Sequence, residues 1–312
     1  RLKTYGLPYH HKFGAAALSK NNLSAIVQKK CVLLQTNYYE MTNDSFRIKD
    51  WIDDRQKRGQ ITFSFQEVVA RFPAITEQAV KNTLNRLVNQ DVIVSVRKGF
   101  YVIVPVEYAL RGIVPPEAYI NDLMQFLGRP YYVALLNAAA FYGAAHQRPQ
   151  QLSVICGFPF LRDARTQKTR VNFVVTRKNI PQRWLKTFRT ENDDIQISKP
   201  ELTATDLITF QKEIGGLNRA STVLVELSEV LNFRKLDSVF FDYVPTASIQ
   251  RLGYLLENEL EQPKQAEILY AKALKFGCKF QKIPLKYSKK TDGCKTDTKW
   301  KIIINEQIDT DI

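Results

Sequence analysis

The sequence predicts an α+β fold, in which an N-terminal winged helix-turn-helix precedes a larger domain of mixed helices and strands. One observation is the order of elements between Phe46 and Pro105, where three short amphipathic helices are followed by a basic hairpin. Another is the rest of the chain, in which helical periodicities alternate with short β-branched runs. A chain of 312 residues also has material for two or three hydrophobic cores, of which the winged segment accounts for one.

Capping and stop residues define the first two helices. The first helix ends at Gly59, because glycine readily adopts the left-handed conformation that closes a helix. A short strand is predicted at Ile61–Phe63. Ser64 and Glu67 then stand three residues apart as a capping box, and Pro73 ends the second helix. These signals predict the first helix and the positioning helix of a helix-turn-helix.

The third helix, predicted over residues 76–90, has an apolar face and a polar face. Its apolar residues recur from Val80 to Val88 at the spacing of an inward stripe. Amide and cationic side chains, the types that bond base edges and phosphates in a major groove, occupy the outward face. The predicted DNA-binding residues of this helix are Gln78, Lys81, Asn82, Asn85 and Arg86.

A basic hairpin completes the winged segment. Strands are predicted at Val92–Val96 and Phe100–Val104, and the turn between them carries Arg97 and Lys98. We expect these two cations to lie beside the DNA backbone or the minor groove. The alternative is a solvated face without a nucleic-acid role, because winged helices also serve as protein–protein modules.

Composition favours a polyanionic partner. The formal net charge is +14 and the pI is near 9.5, although charge of this size sets no sequence preference. No run approaches the roughly 20 apolar residues of a membrane span, so we expect a cytoplasmic protein without membrane contact. The cysteines are too few and too dispersed for a disulfide framework or a zinc site, and we expect neither a metal nor a cofactor. They are Cys31, Cys156, Cys278 and Cys294.

Three segments are predicted along the chain. Residues 1–40 form a basic leader that is either disordered or not part of the native protein, because Met41 is the first methionine. Residues 41–105 form the winged helix-turn-helix. Residues 106–312 form the larger C-terminal domain.

Helices and strands alternate in the predicted C-terminal domain. An alanine-rich buried helix is predicted within Gly128–Gln150, after a helix that begins near Pro116. The predicted strands are Leu152–Cys156, Arg170–Thr176, Ile283–Tyr287 and Trp300–Asn305. The other predicted helices are Leu202–Ile214, Asn218–Leu231, Ser248–Leu260 and Pro263–Phe276.

Several separated blocks together resemble a known family. They are Gly128–Gln150, ISKPELTATDLITF at Ile197–Phe210, GGLNRASTVLVEL at Gly215–Leu227, SIQRLGYLLE at Ser248–Glu257, and IPLKYS and WKIIIN near the end. Their order resembles that of AbiEi-like antitoxins of type IV toxin-antitoxin systems. The resemblance extends over roughly Phe46 to Asn305. The chain departs from the family's expected pattern in the 40-residue leader and in a long basic loop from Phe160 to Arg170.

The resemblance implies two activities. The winged helix would repress the protein's own operon by binding repeats in double-stranded promoter DNA, through the third helix and Arg97 and Lys98. The C-terminal domain would neutralise a nucleotidyltransferase-fold toxin used in phage defence by abortive infection, without a stable complex being required. The positions matched to the antitoxin function are Tyr131, Tyr132, His146, Gln147, Arg148, Asp206, Gln250 and Arg251. For each of these, a helix cap or an internal packing role is the alternative.

Two other functions remain open from the sequence. Asp292 and the Asp297-Thr298-Lys299 run resemble the acidic pattern of a metal-dependent nuclease, but they lie in a predicted polar loop, so we expect no enzyme activity. The second is a one-component, ligand-responsive transcriptional repressor with an aromatic pocket. The residues of that pocket would be Tyr131, Tyr132, Phe141 and Tyr142.

Overall fold

A computed structural model describes residues 29–30, 32, 45–109, 113–144, 149–166, 169–190 and 193–309. Helices and sheets are mixed along these residues, so the predicted α+β class is confirmed. The predicted leader, residues 1–40, lies outside the described residues except at positions 29, 30 and 32.

The N-terminal unit combines three helices with a small antiparallel sheet. Its helices are α1 (residues 45–57), α2 (Phe65–Arg71) and α3 (Glu77–Asn89). Its strands are β1 (Thr62–Ser64), β2 (Ile93–Arg97) and β3 (Phe100–Ile103), in the spatial order β1-β3-β2. The predicted capping box is confirmed, because the Glu67 amide donates to Ser64 Oγ over 3.1 Å and the Ser64 amide donates to Glu67 Oε2 over 2.6 Å.

A six-stranded mixed sheet forms the centre of the rest of the chain. Its strands are β4 (Tyr131–Val133), β5 (Leu152–Gly157), β6 (Ala164–Thr166), β7 (Thr169–Thr176), β8 (Leu185–Arg189) and β9 (Asp194–Ser198). Their order is β6-β7-β5-β4-β9-β8, with parallel pairing between β5 and β7 and between β4 and β9. Two short helices precede β4 along the chain, α4 (Val106–Ala109) and α5 (Ile120–Phe126), and a third, α6 (Leu135–Phe141), follows it.

Helices follow the sheet along the chain. They are α7 (Pro200–Thr209), α8 (Leu217–Leu227), α9 (Ser238–Tyr243), α10 (Thr246–Asn258) and α11 (Pro263–Lys275). The C-terminal segment then adds two short parallel strands, β10 (Ile283–Pro284) and β11 (Ile302–Ile303). Each is shorter than predicted, because only two residues in each segment pair.

The alanine-rich buried helix predicted within Gly128–Gln150 is confirmed as α6, but it occupies only part of that block. Tyr131–Val133 form strand β4, and the helix α6 begins only at Leu135. Tyr and Val favour extended backbone, and β4 pairs with β5 on one side and β9 on the other, so tertiary pairing decides the local structure. The β8–β9 hairpin was also not predicted from the sequence.

The central sheet separates two hydrophobic cores. One lies between the sheet and helices α6 to α11 and contains Tyr132. The other lies on the opposite face and joins the sheet to the N-terminal unit, since Phe100 belongs to the same cluster as Leu123 and Val154. The rings of Phe100 and Phe126 lie 5.3 Å apart between their centroids. The two units are therefore connected by a continuous apolar contact.

Trp300 attaches the C-terminal segment to α10. Its side chain is fully buried, and its indole Nε1 donates to Glu257 Oε2 over 2.6 Å. Lys299 Nζ lies 2.9 Å from Glu257 Oε1 and 2.8 Å from Glu267 Oε2. The indole passes directly over Gly253, where a Cβ atom would lie 2.1 Å from the ring. A side chain at position 253 is therefore incompatible with this packing.

We expect Gly253→Ala to lower the free energy of unfolding by about 1–3 kcal/mol, because the added methyl group must displace a buried indole. Without that contact, the same change inside a helix would stabilise the protein by roughly 0.5–1 kcal/mol, so the sign of the effect is diagnostic. Urea denaturation of the two proteins measures it. Equal or greater stability of the variant would contradict the described position of Trp300.

Candidate functional site

The outward face of α3 is polar and open to solvent. The helix begins after Thr76, whose hydroxyl accepts a hydrogen bond from the Ala79 amide over 3.3 Å. Its inward residues Val80 and Leu84 are fully buried. The five residues predicted to contact DNA all lie exposed on the other side, namely Gln78, Lys81, Asn82, Asn85 and Arg86. This face therefore presents amide and cationic groups together, as the sequence predicted.

Contacts within this face hold some of these side chains in place. Gln78 Nε2 donates to Asn82 Oδ1 over 3.0 Å. Lys81 Nζ lies 3.4 Å from Glu77 Oε2 and 5.4 Å from the centroid of the Phe65 ring. Both lysine contacts are exposed, and exposed ion pairs contribute little to stability. Lys81 can therefore leave Glu77 and pair with another anion.

The two cations of the β2–β3 turn lie in different environments. Lys98 is exposed at the tip. Arg97 is half-buried, donates through Nη2 to the Arg162 carbonyl, and lies 5.6 Å from the centroid of the Phe173 ring. Burial lowers the pKa of the Arg97 guanidinium, and the nearby charge of Arg129 lowers it further. Arg97 thus attaches the turn to the central sheet.

Tyr132 and Asp206 form a fully buried polar cluster. The Tyr132 hydroxyl donates to Asp206 Oδ2 over 3.1 Å and lies 3.0 Å from the Tyr243 hydroxyl. Burial raises the pKa of the Asp206 carboxyl well above its usual range, and the Tyr132 hydrogen bond opposes this only in part. Burial also raises the pKa of Tyr132. The cluster therefore favours a neutral, protonated Asp206.

Gln250 and Arg251 bind the C-terminal segment. Gln250 Nε2 donates to the carbonyls of Gln281, over 2.8 Å, and Trp300, over 2.7 Å. Arg251 Nη2 donates to the Pro284 carbonyl over 2.7 Å. Both side chains are almost completely buried. These contacts join helix α10 to the C-terminal segment.

The predicted antitoxin residues do not form one cluster. Tyr131 lies in the core on the opposite face of the sheet from Tyr132, and its hydroxyl donates to Asn121 Oδ1 over 3.2 Å. The predictions for His146, Gln147 and Arg148 lie outside the described residues. Tyr131 and Tyr132 are both packed in cores, which is the environment of structural aromatic residues and not of an open aromatic pocket.

Two residues of the nuclease-like pattern, Asp297 and Lys299, have other partners. Asp297 Oδ1 accepts a hydrogen bond from the Trp300 amide over 2.6 Å, and Lys299 is paired with two glutamates. In the described part of the chain, no group of three or more His, Cys, Asp or Glu side chains is placed to hold a metal ion.

Sequence reasoning missed two groups that organise these sites. Tyr243, the third member of the buried cluster, lies two residues after Phe241 and has no motif of its own. The contact of Arg97 with Arg162 joins residues 65 positions apart. Neither contact leaves a periodic signal in the sequence, because both depend on tertiary packing.

Comparison with known proteins places the central part of the chain in a defined group. Residues 132–258 match the family model of the AbiEi antitoxin C-terminal domain. This part of the chain is similar to the AbiEi antitoxin C-terminal domain. The predicted resemblance to AbiEi-like antitoxins is thereby confirmed over residues 132–258, and the match includes Tyr132, Asp206, Gln250 and Arg251.

A solved structure shares the fold of the AbiEi-like chain. It is the RV2827C protein from Mycobacterium tuberculosis, which aligns with a TM-score of 0.56 and 14% sequence identity over 81% of this chain and 89% of the other. The likeness extends beyond the family match. A comparison with curated proteins gives no match. In the part of the chain that the structure describes, no helix is both long and apolar enough to cross a bilayer.

We expect Asp206→Asn to gain stability relative to the parent protein as pH rises. A carboxyl whose folded-state pKa is raised contributes its stability fully below the unfolded pKa, near 4, and loses it as pH rises through the folded pKa. The amide cannot ionise, so this pH-dependent loss is absent from the variant. Urea denaturation of both proteins at about pH 5 and about pH 8 measures the difference. A difference that is constant with pH would show that Asp206 is ionised in the folded protein.

Proposed function

We propose that this chain is the antitoxin of a type IV toxin-antitoxin system, with two activities. Residues 41–105 form a winged helix-turn-helix that represses the protein's own operon by binding repeats in its promoter. Residues 106–312 neutralise a nucleotidyltransferase-fold toxin in the cytoplasm, without enzyme activity of their own, in a system for phage defence by abortive infection. The match of residues 132–258 to the AbiEi antitoxin domain supports the antitoxin part of this proposal.

The element order of the N-terminal unit supports the winged-helix assignment. Helices α2 and α3 are joined by a short turn, and the β2–β3 hairpin directly follows α3. A third strand, β1, completes the small sheet. In winged helices the second helix of the pair enters the major groove and the hairpin lies beside it. The corresponding elements here are α3 and the turn between β2 and β3.

The exposed polar face of α3 is the observation that carries the DNA-binding proposal. Asn82 and Asn85 have the amide groups that pair with adenine in the major groove, and Lys81 and Arg86 have the charge that binds phosphates. Of the two hairpin cations, we assign Lys98 to DNA. The predicted DNA contact of Arg97 is secondary in this proposal, because its guanidinium already contacts Arg162 and Phe173.

The buried residues of the antitoxin domain have an indirect role in this proposal. Tyr132, Asp206, Gln250 and Arg251 have internal partners, so they maintain the shape of the domain. Neutralisation would then depend on the exposed surface that this framework supports.

We expect Lys81→Ala and Lys98→Ala each to weaken binding to the DNA upstream of the protein's own reading frame. Each removed phosphate contact lowers the log–log salt slope by about 0.9. Lys290→Ala, an exposed lysine outside the proposed surface, is the matched control and should keep the parental slope. Fluorescence anisotropy at several salt concentrations measures these slopes. Equal slopes in all four proteins would contradict this docking.

We expect the double variant Lys81→Ala/Asn85→Ala to lose repression while it retains neutralisation, because both changes lie on an exposed face away from the antitoxin domain. The full chain is required, since removal of residues 1–105 would expose the core that Phe100 shares with Leu123. Host growth during co-expression with the neighbouring candidate toxin gene, together with a promoter reporter, measures both activities.

The parent protein and Lys290→Ala should both repress and rescue growth in this assay. Retained repression by the soluble double variant would refute the role of α3. Failure of the parent protein to rescue growth from an active toxin would refute the antitoxin function itself.

A further inference from the structure

A cavity of about 410 Å³ lies within the C-terminal part of the chain. Its walls come from the end of α7 and the turn that follows it, from the first turns of α10, and from residues 286–288 of the C-terminal segment. The volume is in the range of small-molecule sites. Arg251 lines this cavity although its side chain is only 3% exposed.

Arg251 is a buried cation without an anionic partner among the described residues. Its Nε donates to the Pro284 and Leu285 carbonyls, over 3.1 and 3.0 Å, and its Nη2 donates to Pro284. No described ion pair includes it. Its Nη1 has one long contact, 3.5 Å to the carbonyl of Ala247, which also lines the cavity. Hydrogen-bonding capacity therefore remains at Nη1.

The Arg251 guanidinium cannot avoid the cost of burying its charge by losing a proton, since arginine stays charged in proteins. Carbonyl dipoles solvate the charge in part, but a buried charge is ordinarily paired. The remaining Nη1 hydrogens and the incompletely compensated charge both favour an anion in the cavity.

The other walls determine what kind of anion fits. Phe210, Pro245 and the Tyr287 ring provide apolar surface, and Tyr287 lies 4.2 Å from the Arg251 guanidinium. Ser248 provides a hydroxyl, which accepts from Thr209 over 2.8 Å. The remaining charged wall residues are Lys212, Glu213 and Lys286, of which Lys286 is paired with Glu306. A ligand needs a negative group at Arg251 and an apolar body.

We propose that this cavity binds a small organic carboxylate with a ring or a short aliphatic body. The carboxylate accepts hydrogen bonds from Arg251 Nη1, and the apolar body packs against Phe210 and Tyr287. This site is separate from α3, so it does not depend on DNA binding.

Fragment binding to the full chain tests the ligand chemistry. Benzoate, benzamide and acetate are compared by ligand-observed NMR titration. Benzamide has the shape of benzoate without its charge, and acetate has the charge without the ring. Benzoate should bind at least about tenfold more tightly than either, since a charged hydrogen bond and apolar burial both contribute. No binding of benzoate, or equal binding of benzoate and benzamide, would overturn the proposal.

Two variants of Ala247 test the role of Arg251 without removing its contacts to the C-terminal segment. Ala247 precedes Arg251 by one helical turn, so Ala247→Glu places a carboxylate beside the guanidinium at i,i+4 spacing. Ala247→Gln fills the same space without the charge. The Glu variant should melt about 2 °C or more above the Gln variant, and it should no longer bind benzoate. Equal melting temperatures, or unchanged benzoate binding in the Glu variant, would refute an unpaired guanidinium in an anion site.

Discussion

The burial of strand β4 on both faces is the constraint on which the arrangement of the molecule depends. Tyr131 and Val133 face one core and Tyr132 faces the other, because side chains alternate along a strand. Neighbouring strands β5 and β9 satisfy its backbone. Apolar partners are therefore required on both sides of the sheet. Helices α6 to α11 provide them on one side, and α5 with the N-terminal unit provides them on the other.

This arrangement determines how the proposed DNA-binding unit relates to the antitoxin domain. Phe100 of β3 packs in the same core as Leu123 of α5, and Thr62 Oγ1 donates to Asp122 Oδ2 over 2.5 Å. Arg97 adds a contact with the loop that precedes β6. The N-terminal unit is thus integrated with the central sheet by apolar and polar contacts together. DNA held by α3 would have a defined orientation relative to the family-matched part of the chain.

Local signals in the sequence predicted the N-terminal unit well. The capping box of Ser64 and the inward stripe from Val80 both depend on residues within a few positions of one another. The same reasoning did not predict the strand at Tyr131–Val133, because its long-range pairing with β5 and β9 determines it.

In the candidate sites too, local sequence patterns predicted some features and did not predict the long-range contacts. Exposure of Lys81, Asn82 and Asn85 follows from helical periodicity, so it was predictable. The contacts of Arg97 with Arg162, of Asp206 with Tyr132 and of Arg251 with Pro284 were not predictable, since these partners lie 65, 74 and 33 residues away along the chain. Sequence blocks correctly indicated the family without indicating what each residue contacts.

Asp206 and Arg251 illustrate two physically different ways of burying an ionisable group. A carboxyl can become neutral, and the raised pKa of Asp206 together with the Tyr132 hydroxyl completes its environment without any further partner. A guanidinium cannot become neutral in this way, so the carbonyls around Arg251 reduce the cost of burial without neutralising the charge. Arg251 also lines a cavity and retains hydrogen-bonding capacity at Nη1, which is the basis of the proposed anion site. Asp206 is accordingly a structural residue, whereas Arg251 combines a structural contact with unused capacity to bind an anion.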